Sequence, residues 1–276
     1  MEDYVIAIRS HKRSKKLEKE TWSIIKNNHL ENKTYIFVND DEVNDYSQYP
    51  NVIGVKVKKG KDVFIHICNY FPVGQQIVFM DDDLIRFYTF NSENKVFLDS
   101  THLDKLIKDG FELIDTFSLG AFSCSMNTKG SYVNRLWIRD KPEREFCFKF
   151  LQGCFFGCRN DPSLICSLSD QDDTERTANF IERYKGILYY HRAGMKNNFG
   201  QGEGGLADST QRTSASRLEQ TKKDAEELIQ RKPLIFEKVK WNRAYNWYDL
   251  KLKNSRVLKK ILQPSTIVLP EKNLFD

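Results

Sequence analysis

An α/β fold, with short buried strands in a sheet flanked by helices, is what this 276-residue sequence predicts. Three observations carry the prediction. Short apolar runs recur through the N-terminal part, each closed by polar or charged residues, as strands buried on both faces are. Stretches with helical apolar spacing stand between them. One run, Gln76-Ile77-Val78-Phe79-Met80, ends abruptly in Asp81-Asp82-Asp83. In open α/β sheets, ligands bind beyond the carboxyl ends of the strands, so this triplet belongs where a ligand would sit. Three adjacent like charges repel, and burying them unpaired is costly. A divalent cation resolves that conflict, and hard oxygen ligands select Mg or Mn; a solvated acidic turn after a strand is the alternative.

The other elements follow in order. Tyr4 to Ile8 forms the first strand and runs into the basic turn Arg9-Ser10-His11-Lys12-Arg13. A helix spans Lys16 to Asn28, with Leu17, Trp22, Ile24 and Ile25 on its apolar face. Tyr35 to Val38 is the second strand, closed by Asn39-Asp40-Asp41-Glu42, and Val52 to Val57 the third. Gly60-Lys61 opens a helix containing Val63, Ile67 and Tyr70, and the Gln76 run follows. Strand, helix, strand, strand, helix, strand is the pattern of a nucleotide-binding α/β half. The glycine fingerprint of dinucleotide binders and the Walker loop are both missing, which weakens NAD and P-loop readings.

Thr101 to Asp104 has the pattern of a capping box ahead of a short helix that Gly110 ends. Gly120 to Met126 and Phe146 to Phe150 read as further strands. Phe155 and Phe156, with Arg159 and Lys149 near in sequence, offer either plain core or a stacking surface for an acceptor ring. A second acidic cluster, Ser169-Asp170-Gln171-Asp172-Asp173-Thr174-Glu175, precedes a helix; acids at a helix start also simply complement its dipole. Ile187 to Arg192 makes a strand that delivers His191, a metal-ligand candidate, at its end. The glycine-rich stretch Asn197 to Leu206 marks the one boundary, dividing residues 1–208 from a helical, basic and aromatic extension over 209–276. There a helix to Arg231 stops at Pro233, and Lys238, Lys240, Arg243, Lys251, Lys253, Arg256, Lys259 and Lys260 alternate with Trp241, Tyr245, Trp247 and Tyr248. Such interleaving suits either a packed amphipathic extension or a nucleic-acid surface.

Net charge is +5, compatible with a polyanionic partner without demanding one. Mean hydropathy is −0.58, and no apolar run approaches membrane-spanning length. The expectation is a cytoplasmic protein without signal peptide, its six cysteines reduced and mostly buried, because their spacing fits zinc poorly.

In this order the pieces resemble a GT-A glycosyltransferase, over roughly residues 3 to 206: the strand into Arg9-Ser10, the acidic strand end at Asp40-Asp41, the Gly60-Lys61 helix, Met80-Asp81-Asp82-Asp83, Asp172-Asp173, His191 and the glycine-rich loop. The Met-Asp-Asp-Asp-Leu run and Gly204-Gly205-Leu206, leading into a long Arg-containing helix, are similar to the viral and phage glycosyltransferases of hydroxymethylated pyrimidines in DNA, relatives of the base J glucosyltransferase. The resemblance implies a Rossmann-like mixed sheet, a UDP-sugar donor, Mn or Mg, and 5-hydroxymethylcytosine in DNA as acceptor in the host cytoplasm. It implies that Asp81, Asp83 and His191 hold the metal, and that Arg9, Ser10, Asp41, Lys61, Asp82, Gly204 and Gly205 contact the donor. Asp172 or Asp173 matches the catalytic base of inverting members. The usual Glu-Asp is Asp-Asp here, which leaves the choice between them, and the stereochemistry, open. A glycan, protein or small-molecule acceptor is the alternative within the enzymes, and a non-catalytic nucleic-acid-binding module the alternative outside them.

Overall fold

The computed structural model describes residues 4–56, 60–91, 96–125, 142–164, 166–168, 170–197, 215–242, 247–270 and 274. Its centre is a ten-stranded mixed sheet. The N-terminal strands β1 (Val5–Arg9), β2 (Thr34–Asn39), β3 (Val52–Val55) and β4 (Gln76–Asp81) run parallel in the spatial order β3-β2-β1-β4. Then come β5 (Leu84–Asn91), β6 (Val96–Asp99), β7 (Ala121–Ser125), β8 (Arg144–Cys147), β9 (Phe155–Arg159) and β10 (Ile187–Asn197). The sheet continues from β4 through β9, β7, β10 and β5 to β6, with β8 paired to β10. β9 runs antiparallel to both β4 and β7, whereas β7 and β10 are parallel.

Burial on both faces explains the apolar runs. Ile6, Ile8, Val78 and Met80 face one core cluster, while Val5, Ala7, Ile77 and Phe79, their neighbours along the same strands, face another. The period-2 alternation of a strand puts successive side chains on opposite faces, so both must be apolar here. Helices α1 (Ser14–Lys19), α2 (Thr21–Asn27) and α4 (Leu103–Phe117) cover the first face through Leu17, Trp22, Ile25, Leu106 and Phe111. Helices α3 (Gly60–Tyr70) and α5 (Asp172–Tyr184) cover the second through Phe64, Ile67 and Phe180. The C-terminal residues return to the first face: Leu274 is buried in that core, and its N–H is 3.0 Å from each carboxylate oxygen of buried Glu143.

Several expectations need correction. The helix expected over Lys16 to Asn28 is two, broken at Glu20, whose ψ of −101° is not helical. Gly110 does not end α4 but lies inside it, and the helix stops at left-handed Ser118. The expected Phe146 strand is shifted to Arg144–Cys147. Of the two readings offered for Phe155 and Phe156, plain core is the one observed: they lie in the central strand β9, fully buried, and Arg159 pairs with Asp115. The extension is not wholly helical. After α6 (Ala215–Arg231) comes a two-stranded antiparallel hairpin, β11 (Phe236–Asn242) and β12 (Trp247–Leu252), then the short helix α7 (Ser255–Leu262). Ala225 and Leu228 of α6, Phe236 and Leu250 of the hairpin and Leu258 of α7 pack with Ala178 and Ile181 of α5, so residues on both sides of the expected boundary share a core. All six cysteines are free, and five are buried.

At Gly110 α4 comes close against the sheet. A Cβ there would lie 2.7 Å from the ring of Phe122 in β7. Alanine normally gains about 1 kcal/mol over glycine inside a helix, whereas overpacking a core costs about 1–3 kcal/mol. Because Phe122 is fully buried and its ring cannot withdraw, the second effect wins. Gly110→Ala is expected to lower stability by about 1–2 kcal/mol in urea unfolding; a stabilised variant would refute this account of the helix–sheet contact.

Candidate active site

The carboxyl ends of β1 and β4 meet at Arg9 and Asp81, which are register partners in the sheet. β4 ends at Asp81, and a turn of Asp82 and Asp83 leads into β5. Buried Thr21, at the start of α2, fastens that turn. Its hydroxyl lies 2.8 Å from the Asp81 carbonyl as donor and accepts the Leu84 N–H at 2.9 Å. The Asp81 N–H in turn donates to the carbonyl of Cys154 at 3.0 Å, tying the strand end to the loop before β9.

The three carboxylates part company. Asp82 and Asp83 turn toward the basic segment after β1: Asp82 accepts from Ser10 Oγ at 2.6 Å and from Arg13 at 3.1 Å, and Arg13 also lies 3.7 Å from Asp83. Ser10 is further held to the Tyr46 hydroxyl at 2.8 Å. One Asp83 oxygen, Oδ1, is buried without a hydrogen-bond partner. Asp81 points elsewhere, to Arg9 at 3.4 Å. The same Arg9 guanidinium lies 3.9 Å from Asp172 at the start of α5. One cation thus joins the strand-end cluster to the second acidic cluster, 91 residues later in the chain.

Asp172 is anchored from behind by Arg176, one turn on, at 3.0 Å. Arg176 is fully buried, its guanidinium 4.1 Å from the ring centroid of Phe64 and 4.9 Å from that of Phe156. A buried guanidinium requires a counter-charge, and Asp172 supplies it. Asp173 has a different setting. Its side chain is exposed and accepts the Thr174 N–H at 2.7 Å, in the manner of a residue at a helix start. It lies against Gly153, where a Cβ would come within 3.2 Å of it.

These environments separate the carboxyls electrostatically. Loss of hydration pushes Asp81 up to about 7; Arg9 opposes the shift, and Asp83 and Asp82 add to it. Its side chain keeps 35% of its exposure, so protein surrounds a carboxyl that still meets solvent. Asp83 is also raised, by burial first and then by Asp82. Asp173 is raised by the surrounding protein and by the charge of Asp172.

The remaining expected site residues are dispersed. Lys61, at the start of α3, donates to the carbonyl of Ser167 at 2.9 Å, close in sequence to α5. Asp41 is exposed; the carboxylate that reaches back to the turn after β1 is its buried neighbour Glu42, which contacts His11 Nδ1 at 2.5 Å and the Lys12 N–H at 2.6 Å. His191 is 1% exposed, with Nε2 3.1 Å from Glu145 and Nδ1 3.4 Å from Lys149. It stands on β10, which pairs with β7 on one side and, on the other, with β5, the strand that Asp83 leads into. Among the described residues no group of three or more His, Cys, Asp or Glu could hold a metal ion. Gly204 and Gly205 lie outside the described residues. Arg13, Thr21, Glu42 and Arg176 were missed. The Asp172–Arg176 spacing of four is the one signal of these in the sequence, because it places the pair on one helix face.

The Asp81 shift has a measurable sign. An unfolded aspartate titrates near 3.9, so between about 4 and about 7 the folded state holds the extra proton, and ionising Asp81 costs stability as pH rises. Asp81→Asn removes that cost. Its melting temperature relative to the unaltered protein is expected to climb between pH 5 and pH 8, in thermal scans of both proteins. A constant difference across that range would show that Asp81 ionises normally.

No family model matches the sequence, and no curated protein does. Solved structures match in fold. Residues 1–349 of TarS from S. aureus, in complex with UDP-GlcNAc, superpose with a TM-score of 0.50 at 13% identity, over 82% of this chain and 66% of that one. Another structure of the same TarS region gives 0.48 at 12% identity over 82% and 65%. The mannosyltransferase PcManGT from Pyrobaculum calidifontis, in complex with GDP-Man and Mn2+, gives 0.45 at 12% identity over 68% and 54%. The chain thus spans no more than about two thirds of these proteins. A mixed, partly parallel sheet flanked on both faces by helices is the α/β fold of GT-A structures, and this chain has it.

Proposed function

We propose that this chain is a nucleotide-sugar-dependent glycosyltransferase whose site lies at Asp81–Asp83 and Asp172–Asp173. The observation that carries the reading is the convergence of those two clusters on Arg9, at the carboxyl ends of β1 and β4. Ligands of open α/β sheets bind at that position. The complex of TarS with UDP-GlcNAc supports a donor of this class.

The donor type, carboxylate oxygen, is the one a hard divalent cation takes, although Arg9 and Arg13 hold Asp81 and Asp83 apart in this structure. Asp81 and Asp83 would supply carboxylate oxygens, one of them the unpartnered Oδ1 of Asp83; burial raises both carboxyls first, and the neighbouring aspartates add to it. A bound Mn or Mg would supply neutralisation of the diphosphate leaving group. Arg9 is the protein's own cation beside Asp81, placed to bind diphosphate oxygens. We assign Asp173 as general base. Asp172 is committed to Arg176 and Arg9, whereas Asp173 is exposed, and the surrounding protein and the charge of Asp172 raise its carboxyl, the direction that favours accepting a proton. In the transfer, Asp173 takes the acceptor hydroxyl's proton as that oxygen bonds to the anomeric carbon. The bond from that carbon to the nucleoside diphosphate breaks, and the diphosphate leaves with the electron pair. We propose 5-hydroxymethylcytosine or a related hydroxymethylpyrimidine in DNA as the acceptor, consistent with the basic C-terminal segment.

The test is nucleotide release from a panel of UDP- and GDP-sugars with Mn, with and without DNA containing 5-hydroxymethylcytosine. Release stimulated by the modified DNA, with a matching mass gain on it, is expected. Release that DNA does not stimulate would move the acceptor to a glycan, protein or small molecule. No release and no Mn binding would refute the transferase reading. Asp83→Asn is expected to abolish Mn-dependent turnover with the fold intact. Asp173→Asn is expected to lower kcat by about 10²- to 10⁴-fold with little change in donor affinity measured by calorimetry; a larger effect from Asp172→Asn on kcat alone would exchange the two roles.

A further inference from the structure

The C-terminal segment carries charge that the fold leaves unanswered. Between residues 232 and 260 nine Lys and Arg stand against two acidic residues, Glu237 and Asp249. Both acids are already engaged: Glu237 with Lys251 at 2.9 Å, and Asp249 with the side-chain amide of Asn242 at 2.6 Å. Lys238, Lys240, Arg256, Lys259 and Lys260 are exposed, and none has a carboxylate partner among the described residues.

The hairpin sorts these residues by face. Val239, opposite Leu250, packs inward on the core shared with α6 and α7. Lys238 and Lys240 therefore point outward, and Lys238 lies directly opposite Lys251. Glu237, ion-paired with Lys251 and near Lys238 as well, answers one of these two charges and leaves the edge net positive. α7 follows β12 almost at once and buries Leu258, turning Arg256, Lys259 and Lys260 to solvent.

This surface is fastened to the candidate active site. The side-chain amide of Gln171, immediately before Asp172, donates to the carbonyl of Tyr248 in β12 at 2.7 Å. Tyr248 is the register partner of Trp241, which packs edge-on against it with ring centroids 4.8 Å apart and is itself 39% exposed. An exposed indole thus stands at the end of the hairpin nearest Asp172 and Asp173.

We propose that the outer face of the β11–β12 hairpin, with α7, docks duplex nucleic acid through its phosphates, and that Trp241 meets the segment presented to Asp173. The proposal deepens the acceptor reading above and rests on it for the identity of the substrate. A two-stranded ribbon fits the major groove of a duplex, and exposed lysines and arginines neutralise phosphates. An anionic membrane is a poorer fit, because α7 turns its leucines inward and leaves only Val257 and Ile261 of its apolar residues exposed.

The experiment is fluorescence anisotropy of a labelled unmodified duplex, with unaltered protein, with a variant carrying Lys238→Gln, Lys240→Gln, Lys259→Gln and Lys260→Gln, and with Asp81→Asn. Unaltered protein is expected to bind with affinity that falls steeply with salt. The quadruple variant is expected to show a log–log slope shallower by about 0.9 for each phosphate it no longer neutralises. All four lysines are exposed, so an unchanged melting temperature will confirm that the variant folds. Trp241→Ala is expected to weaken binding to a single-stranded oligonucleotide by about 5- to 150-fold, the worth of one stacked base. Asp81→Asn is expected to keep full duplex affinity, which reads docking apart from transfer. Equal affinity and salt slope for the quadruple variant, no duplex binding at low salt, or binding to phosphatidylserine-containing vesicles in place of the duplex would each overturn the proposal. If docking persists while no sugar nucleotide is consumed, the surface stands and the transferase reading falls.

Discussion

Arg9 lies between Asp81 and Asp172, and the geometry of the site depends on that placement. Asp81, Asp82, Asp83, Asp172 and Asp173 occupy two segments that the fold draws together at one end of the sheet. Without cations among them their repulsion would drive the strand end and the helix start apart. Three arginines from different parts of the chain divide the work. Arg13 takes Asp82 and lies near Asp83, Arg9 spans Asp81 and Asp172, and Arg176 secures Asp172 from beneath, wedged against Phe64 and Phe156. Burial raises Asp81 and Asp83 all the same, their neighbouring aspartates add to it, and one Asp83 oxygen stays without a hydrogen-bond partner. A site balanced in this way is stable enough to fold and is still improved by any further positive charge.

Arg176 also shows how the core and the site are coupled. Its guanidinium packs against aromatic rings of α3 and β9, so the position of Asp172 is set by the layer of helices over the second sheet face. Nearby, Glu175 takes the N–H groups of Ser167 and Leu168, and Lys61 takes the Ser167 carbonyl. The start of α5 is therefore held by its own loop, by α3 and by the hairpin through Gln171. An acidic helix start gripped from three sides is preorganised.

The parallel half of the sheet was legible in the sequence because each strand there is buried on both faces and each ends in a polar turn. The β1, β2 and β4 expectations fall within a residue or so of the observed strands, and Gly60 opens α3 as expected. Strands β5 and β9 escaped notice for the converse reason. β5 starts directly after the acidic turn with no turn residue of its own, and β9 carries bulky aromatics that read equally well as core or as an exposed platform. Gly110 misled because its role is set by Phe122, a residue on another element, and no local pattern contains that information. At the site, the acids were visible as clusters, but their division of labour depends on which arginine each one meets. The choice of Glu42 over Asp41 similarly depends on the 3-10 turn over Asp40–Tyr46, which buries one acid and exposes its neighbour.

The return of residue 274 to the first face of the sheet has a consequence for biosynthesis. Leu274 shares a core with Tyr4, Ile6 and Ile8, and its N–H is received by Glu143, whose carbonyl also accepts the N–H of His191. A nascent chain emerging from the ribosome can assemble the sheet long before it can seal this face. Until residue 274 is free, Glu143 keeps a buried carboxylate without that donor, and the apolar seat of Leu274 stays open. Vectorial synthesis thus leaves a late, incomplete intermediate whose gap is closed by a side chain made long after the strands it covers.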